Sequence, residues 1–229
     1  MAYITCKNLS LGYDGKAIVS NLNFEVNKGD YLCIVGENGT GKSTLMKTLL
    51  HLQEKISGEI QRGDGLKPYE IGYLPQQTLV QKDFPATVWE IVLSGTLPSC
   101  GRYPFYGKVQ KEMAKKQMEK LGIWNLKKRC YRNLSGGQQQ RALLARALCA
   151  TSKIILLDEP VTGLDPKVTL EFYELLSELN KTGITVIMVS HDLQAISYAS
   201  HILHLDKTKS FFGTKQEYLE KDRWLERHE

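Results

Sequence analysis

One stretch, Gly36-Glu37-Asn38-Gly39-Thr40-Gly41-Lys42-Ser43, constrains this chain more than any other. It follows an apolar run, Tyr31–Val35, and precedes a helical run over residues 43–52. Strand, glycine-rich loop, then helix is the context in which the pattern G-x-x-x-x-G-K-S cradles phosphate. The glycines let backbone N–H groups converge on anionic oxygens, and the helix N-terminus adds partial positive charge. Lys42 is then expected to reach the β- and γ-phosphates of a nucleotide. Ser43 offers a hydroxyl to Mg²⁺, with Thr44 beside it.

Composition leaves room for this and excludes other classes. The chain has 229 residues, 42% hydrophobic and 24% charged, with a net charge of +5. These values are ordinary for a globular chain and exclude disorder as the dominant state. The positive excess is modest and spread out, so no nucleic-acid partner is expected. No apolar run is long enough for a membrane-spanning helix. The first ten residues lack the basic and apolar regions of a secretory signal. The five cysteines (Cys6, Cys33, Cys100, Cys130, Cys149) include no C-x-x-C pair. They read as reduced thiols, not as a disulfide framework or a zinc site.

Apolar and polar residues alternate in short runs at Tyr3–Cys6, Ala17–Val19 and Leu22–Val26, which predicts strands broken by Gly, Asn and Asp turns. Residues 71–75 read as a strand ending at Pro75. Helices are predicted over Thr87–Leu93 and Lys108–Leu121, with a Pro-, Gly- and Tyr-rich loop, Leu97–Gly107, between them. A further helix runs from Ser135 to about Ala150. Lys153–Leu157 and Thr185–Val189 read as strands buried on both faces. Leu170–Asn180 and Leu193–Ala199 read as helices, Ile202–Leu205 as a short strand, and Gln216–Glu229 as a surface helix. Strand and helix in alternation argue a parallel α/β sheet with an inserted helical piece.

Two further stretches carry chemistry. Ile154-Ile155-Leu156-Leu157-Asp158-Glu159 is a buried strand ending in two acids. A carboxylate at such a strand end sits beside the phosphate loop in a doubly wound sheet, so Asp158 is a candidate to hold Mg²⁺. Glu159 is a candidate to polarise an attacking water, as general base or orienting group. The same two acids would also serve to cap the next turn. Leu134-Ser135-Gly136-Gly137-Gln138 places an N-cap serine and two glycines at a helix start, a second anion-binding helix terminus. One γ-phosphate needs only one cradle. A second cradle suits a nucleotide held by another subunit.

The stretch LSGGQ at 134–138, lying between a phosphate loop and ILLDEP, resembles the signature of ATP-binding-cassette (ABC) ATPases. The resemblance covers essentially the whole chain. It implies an α/β, P-loop NTPase (RecA-like) fold with a parallel sheet core, N-terminal antiparallel β-strands and an inserted α-helical subdomain. One ABC ATPase domain over residues 1–229 is expected, with 1–78 and 132–229 as nucleotide-binding core and 79–131 as helical subdomain. ATP and Mg²⁺ are the implied cofactors, and ATP hydrolysis coupled to transport the implied activity. The nucleotide would be bound by Tyr13, Gly36, Glu37, Asn38, Gly39, Thr40, Gly41, Lys42, Ser43, Thr44, Ser135, Gly136, Gly137, Gln138 and Asp165.

By the same resemblance Tyr13 stacks on adenine, and Gln76 touches Mg²⁺ and water; Gln77 is the less suited neighbour. Gly163-Leu164-Asp165 contacts the opposite subunit, and His191 reaches the γ-phosphate. Gly163 stands where many members have Ala or Ser. Mg²⁺ would be held by Ser43, Gln76 and Asp158, with Glu159, His191, Gln76 and Lys42 serving catalysis. A homodimer or a pair of ABC subunits is implied, closing around two ATP and loosening once hydrolysis removes the γ-phosphate contacts.

The short interval from Gly36 to Leu134 excludes members that carry long coiled coils there, and the length holds one cassette, not two. The chain therefore resembles a separate ATPase subunit of a prokaryotic transporter. That resemblance implies that its membrane permease subunits are other chains, that an extracytoplasmic metal-binding protein is an indirect partner, and that its place is the cytoplasmic face of the cell membrane. Thr87–Val92, Gly163–Pro166, Met188–Asp192 and Phe211–Gly213 resemble the zinc and manganese importer branch. Iron-chelate importers, exporters and a soluble ATP switch are the alternatives. His201 and His204 are not expected to bind metal, because an offset of three on a strand puts them on opposite faces. Leu79, Val80, Phe84 and Trp89 are candidates to line a groove for a permease helix, with Trp89 and Val92 also packing the helical core. The aromatic loop Tyr103-Pro104-Phe105-Tyr106 suggests a partner contact.

Overall fold

Two long strands open the chain in the computed structural model, which describes residues 2–67, 70–77, 83–101, 105–151, 153–206 and 209–226, with side chains up to residue 220. In chain order the elements are β1 (Ala2–Tyr13), β2 (Lys16–Asn27), β3 (Tyr31–Val35), α1 (Lys42–Leu49), β4 (Ser57–Arg62), β5 (Ile71–Leu74), α2 (Val88–Ser94), α3 (Lys108–Lys120), α4 (Gly136–Ala150), β6 (Ile154–Asp158), α5 (Pro166–Lys181), β7 (Thr185–Val189), α6 (Leu193–Tyr198), β8 (His201–His204), β9 (Phe211–Thr214) and α7 (Lys215–Glu226). The chain forms two compact units: Met1–Pro68 with Ser177–Glu229, and Tyr69–Leu176.

In the first unit, β2 buries Leu22, Phe24 and Val26 and exposes Asn23 and Glu25 between them, the period-two pattern of a half-buried strand. It pairs antiparallel with β1, Cys6 opposite Phe24 and Leu9 opposite Leu22. The hairpin closes over Asp14 and Gly15, both at positive φ, as a tight two-residue turn requires. The other edge of β1 pairs with β4, Cys6 opposite Ile60. The expected short strands Tyr3–Cys6, Ala17–Val19 and Leu22–Val26 are thus parts of two continuous strands. Asn8 and Asn21 take φ values of 48° and 56° and bulge the ladder instead of ending it. The Asn8 N–H is satisfied by Asn23 Oδ1 at 2.9 Å.

Every residue of β3 is buried, as its unbroken apolar run requires. It lies parallel to β7 on one side, Leu32 opposite Ile187, and to β8 on the other, Ile34 opposite Leu203. β9 adds antiparallel to β8. Asn180 Nδ2 ties the turns entering these strands, donating to the carbonyls of Gly29 and Ile184, each at 2.9 Å.

The second unit is built on the parallel pair β5 and β6, with Tyr73 opposite Leu156. Helix α4 lies against β5, and α2 crosses α4 so closely that a Cβ on Gly95 would stand 2.0 Å from the Arg146 carbonyl oxygen. Thr87 caps α2 in a reciprocal box with Glu90: its hydroxyl accepts from the Glu90 N–H at 3.2 Å, and the Glu90 carboxylate accepts from the Thr87 N–H at 2.8 Å. Trp89 packs edge-on against Trp124, and Val92 is fully buried. The expected helical segment 79–131 falls inside this unit.

Parallel strands, interleaved helices, an N-terminal antiparallel sheet and inserted helices make this the expected α/β P-loop NTPase architecture. Four details correct the sequence reading. Strands β4 and β9 were not anticipated, because neither alternates cleanly. The predicted loop 97–107 contains a 3₁₀ turn, Leu97–Ser99. Helix α5 starts at Pro166 rather than Leu170, because Asp165 precedes a proline suited to the first helical position. Among the described residues no helix is long and apolar enough to cross a membrane.

Candidate functional site

The glycine-rich loop leaves β3 and curls back before α1. Gly36 has φ 141°, and a Cβ there would stand 2.3 Å from the Leu205 carbonyl oxygen, so the curl admits only glycine. Lys42 opens α1 yet is only 6% exposed. Its Nζ folds back onto the loop, donating to the carbonyls of Gly36 at 2.8 Å and Glu37 at 2.7 Å. Thr40 Oγ1 donates to the Glu37 carbonyl at 2.9 Å, closing the turn a second time. Gly41, at φ 94°, is the N-cap of α1 and supplies no capping side chain, and the first turn holds no acid. No side chain caps that turn, and a helix N-terminus of this kind favours an anion.

Two of the predicted residues lie in the same unit as the loop. Tyr13, at the end of β1 and 49% exposed, accepts a hydrogen bond from Thr44 Oγ1 at 3.3 Å. That bond places its hydroxyl beside the first turn of α1. His191 is exposed just beyond β7. β7 and β3 are parallel and in register, Val189 opposite Ile34, and the Ser190 N–H donates to the Ile34 carbonyl at 3.1 Å. His191 and Gly36 thus leave the same edge of the sheet. Ser43 is exposed in the first turn of α1.

The second unit carries the acids. Asp158, 6% exposed, ends β6; burial, with the Asp158 carboxylate adding to it, pushes the Tyr73 phenol up to about 12. Glu159 follows with φ 48°, a left-handed backbone that is costly for a residue with a long side chain. Its carboxylate accepts from Gln76 Nε2 at 2.8 Å and from Thr162 Oγ1 at 3.4 Å. With Nε2 committed to Glu159, Oε1 is the end of the Gln76 amide suited to a cation. The hydroxyl of Ser43, the carboxylate of Asp158 and this amide oxygen are all hard oxygen donors, the kind Mg²⁺ takes.

Ser135 caps α4 in a second reciprocal box: its Oγ accepts from the Gln138 N–H at 3.4 Å, and Gln138 Oε1 accepts from the Ser135 N–H at 3.2 Å. Ser135 and Gly136 are exposed at this helix start. A Cβ on Gly136 would meet Leu164, and one on Gly137 would meet Val168, at 2.8 and 2.5 Å. The signature turn and the Gly163–Asp165 turn are therefore packed together. Asp165 caps α5, its Oδ1 accepting from the Val168 N–H at 3.1 Å.

A groove of about 370 Å³ in this unit is lined by Pro75, Phe84, Ile91, Tyr131, Leu143 and Arg146, among others. Phe84 lines it as expected; Trp89 is taken up by Trp124, and Leu79, Val80, Tyr103 and Pro104 lie outside the described residues. Phe105 is exposed. His201 stacks on Phe212, whereas His204 bonds Tyr218 at 3.0 Å. No group of His, Cys, Asp and Glu suited to a metal occurs among the described residues. All five cysteines are free. Sequence reasoning missed the bonds among Gln77, Tyr131 and Gln140. No local spacing announces a contact between segments that far apart.

The family model for ABC transporters matches residues 19–162. The chain is 40% identical over 210 residues to the manganese transport system ATP-binding protein MntB of Bacillus subtilis (strain 168), covering 90% of this chain and 84% of that protein. It is 36% identical over 223 residues to the zinc uptake system ATP-binding protein ZurA of Listeria innocua, covering 94% and 87%. Among solved structures, a metal-chelate type ABC transporter in an inward-facing conformation matches with a TM-score of 0.86 at 32% identity, over 96% of this chain and 86% of that one.

Proposed function

We propose, from the premise that this chain belongs to the ABC transporter family, that it is the ATP-hydrolysing subunit of an importer of zinc or manganese ions. The single observation that carries the ATPase chemistry is the loop closed by Lys42 on the Gly36 and Glu37 carbonyls, opening into an uncapped helix start. The cargo rests on the likeness to manganese and zinc transport proteins.

In this reading the loop N–H groups and Lys42 hold the β- and γ-phosphates, and Tyr13 lies under the adenine. Ser43, Gln76 and Asp158 would hold Mg²⁺, which would neutralise charge on the phosphate oxygens. Glu159 orients and deprotonates the attacking water, held by Gln76 and Thr162 so that its carboxylate does not swing. His191 donates toward the γ-phosphate. Ser135 to Gln138 of a second copy cover the open face of the nucleotide. The pair loosens when the γ-phosphate leaves. Residues 79–131 form the helical subdomain, and its groove at Phe84, Ile91 and Leu143 seats a permease segment at the cytoplasmic face of the membrane.

The test is metal accumulation in cells lacking this subunit, read by elemental analysis across zinc, manganese and iron. Loss of zinc or manganese uptake, restored by the wild type and not by Glu159→Gln, is expected. No change in either metal would withdraw the cargo and leave the ATPase.

A further inference from the structure

Behind the Gln76–Glu159 pair lies a set of hydrogen bonds that the mechanism above leaves unused. Gln77, the next residue after Gln76, donates from Nε2 to the Tyr131 hydroxyl. Its Oε1 accepts from Gln140 Nε2 at 3.3 Å. Gln140 is 3% exposed and lies in α4, near the signature cap. Its neighbour Gln139 donates to the Tyr131 carbonyl at 3.1 Å. Tyr131 is thus gripped at its ring end by Gln77 and at its backbone by α4.

The chemistry of the set is directional. Gln140 N–H serves Gln77 oxygen, and Gln77 N–H serves Tyr131 oxygen. Burial pushes the Tyr131 phenol up to about 12, against the opposing pull of Gln77 and Arg146, so the hydroxyl stays protonated at neutral pH. An amide engaged at both ends by buried partners cannot rotate. Gln77 is therefore held at both ends of its amide, and it is the chain neighbour of Gln76. Gln76 in turn carries the 2.8 Å bond to Glu159.

We propose that Tyr131 is a positioning residue for ATP hydrolysis: through Gln77 it holds Gln76 against Glu159 and ties that pair to the helix that starts at the Ser135 cap. This rests on the hydrolase reading above. Tyr131 is buried, and its partners Gln77 and Gln139 are side chains of the protein. It acts by limiting where the Glu159 carboxylate points, so its loss is felt in turnover and not in nucleotide binding.

The experiment compares the full-length chain with Tyr131→Phe, Gln77→Leu and the double variant in steady-state Mg-ATP hydrolysis. It is run at a temperature where all four are folded by circular dichroism. Tyr131→Phe keeps the ring and its packing and removes only the hydroxyl. Each single change is expected to lower kcat about tenfold, the scale of a small misplacement of a catalytic group. KM for ATP should stay unchanged, and the double variant should be no slower than either single, because both cut the same tie. A residue that only stabilised the fold would not produce that split. Unchanged kcat in either single variant, losses that multiply in the double, or a KM that rises as kcat falls would each overturn the proposal. Should Tyr131→Phe fail to fold, Gln77→Leu carries the same prediction alone. A wild-type chain that binds ATP without turning it over would overturn the hydrolase reading itself, and this inference with it.

Discussion

Gln76 Nε2 donates to Glu159 Oε2 across 2.8 Å, joining segments 83 residues apart. Glu159 reaches that bond from a left-handed backbone position, φ 48°, directly after the buried strand β6. The turn lifts the carboxylate off the line of the strand, and Gln76 and Thr162 then fix its direction. A carboxylate so held retains acceptor capacity for a water, which is what a general base needs.

Glu159→Gln keeps the size of the side chain and removes the base. Turnover is expected to fall about 10²–10⁴-fold while ATP binding persists. The variant should then accumulate as an ATP-bound dimer, checked by size-exclusion chromatography in saturating Mg-ATP. A monomeric profile would count against the two-chain arrangement.

Lys42→Ala removes a charge together with two bonds to loop carbonyls, at 2.8 and 2.7 Å. Affinity for ATP is expected to drop about 10–100-fold, the range for losing a hydrogen bond to a charged group. Lys42→Arg should not restore it, because a planar guanidinium does not fit where the ammonium folds back. Titration with a fluorescent nucleotide reads both.

Gly36→Ala places a methyl 2.3 Å from the Leu205 carbonyl oxygen at a φ of 141°. The strain should cost about 2 kcal/mol and lower the melting temperature by about 4–8 °C for a chain this long. Calorimetry of the nucleotide-free protein separates this from any effect on binding.

Ser135→Ala removes the oxygen that accepts from the Gln138 N–H. A lost cap costs about 1 kcal/mol. ATP-dependent dimerisation should weaken by more than that loss of stability explains, since the serine is exposed at the helix start. Sedimentation with and without ATP, compared with the melting shift, tests the difference.

Burial pushes the thiols of Cys6, Cys33 and Cys149 up to about 12. In the folded protein at pH 8 these three should resist alkylation while the half-buried Cys100 and Cys130 react first. Unfolding exposes thiols that ionise near 9.0, their ordinary value. Above that pH the unfolded chain holds fewer protons than the native one, so these groups erode stability as pH rises from about 9 toward 12. Denaturant midpoints across that range should fall, and thiol counting by mass spectrometry identifies the fast pair.

The sequence announced the parts of the fold that repeat a period or obey a steric rule. The runs at Tyr31–Val35 and Thr185–Val189 are strands to the residue, because only a two-sided burial explains them. Ser135 stands where its cap was readable, whereas Thr87, expected inside its helix, is the cap that precedes it. Asn8 and Asn21 misled, since asparagine at positive φ serves a turn and a bulge equally well, and only the partner strand decides. Ser57–Arg62 pairs through its backbone with little apolar signal, so its place in the sheet comes from β1. For the site, residue types and order pointed to the loop, the acids and the signature. What spacing could not supply was the division of labour between Gln76 and Gln77: one reaches Glu159, the other Tyr131.

The contact between Gly36 and the Leu205 carbonyl also sets a timetable for synthesis. β1, β2 and β4 pair through neighbours in sequence and can form early. β3 cannot: both its partners, β7 and β8, lie beyond residue 184, and the curl at Gly36 is completed only when Leu205 arrives. A nascent chain therefore carries its whole phosphate-loop sequence long before it can grip a nucleotide. A chain ending before Leu205 would lack the carbonyl against which the Gly36 curl is packed, and with it β8, one of the two strands that flank β3.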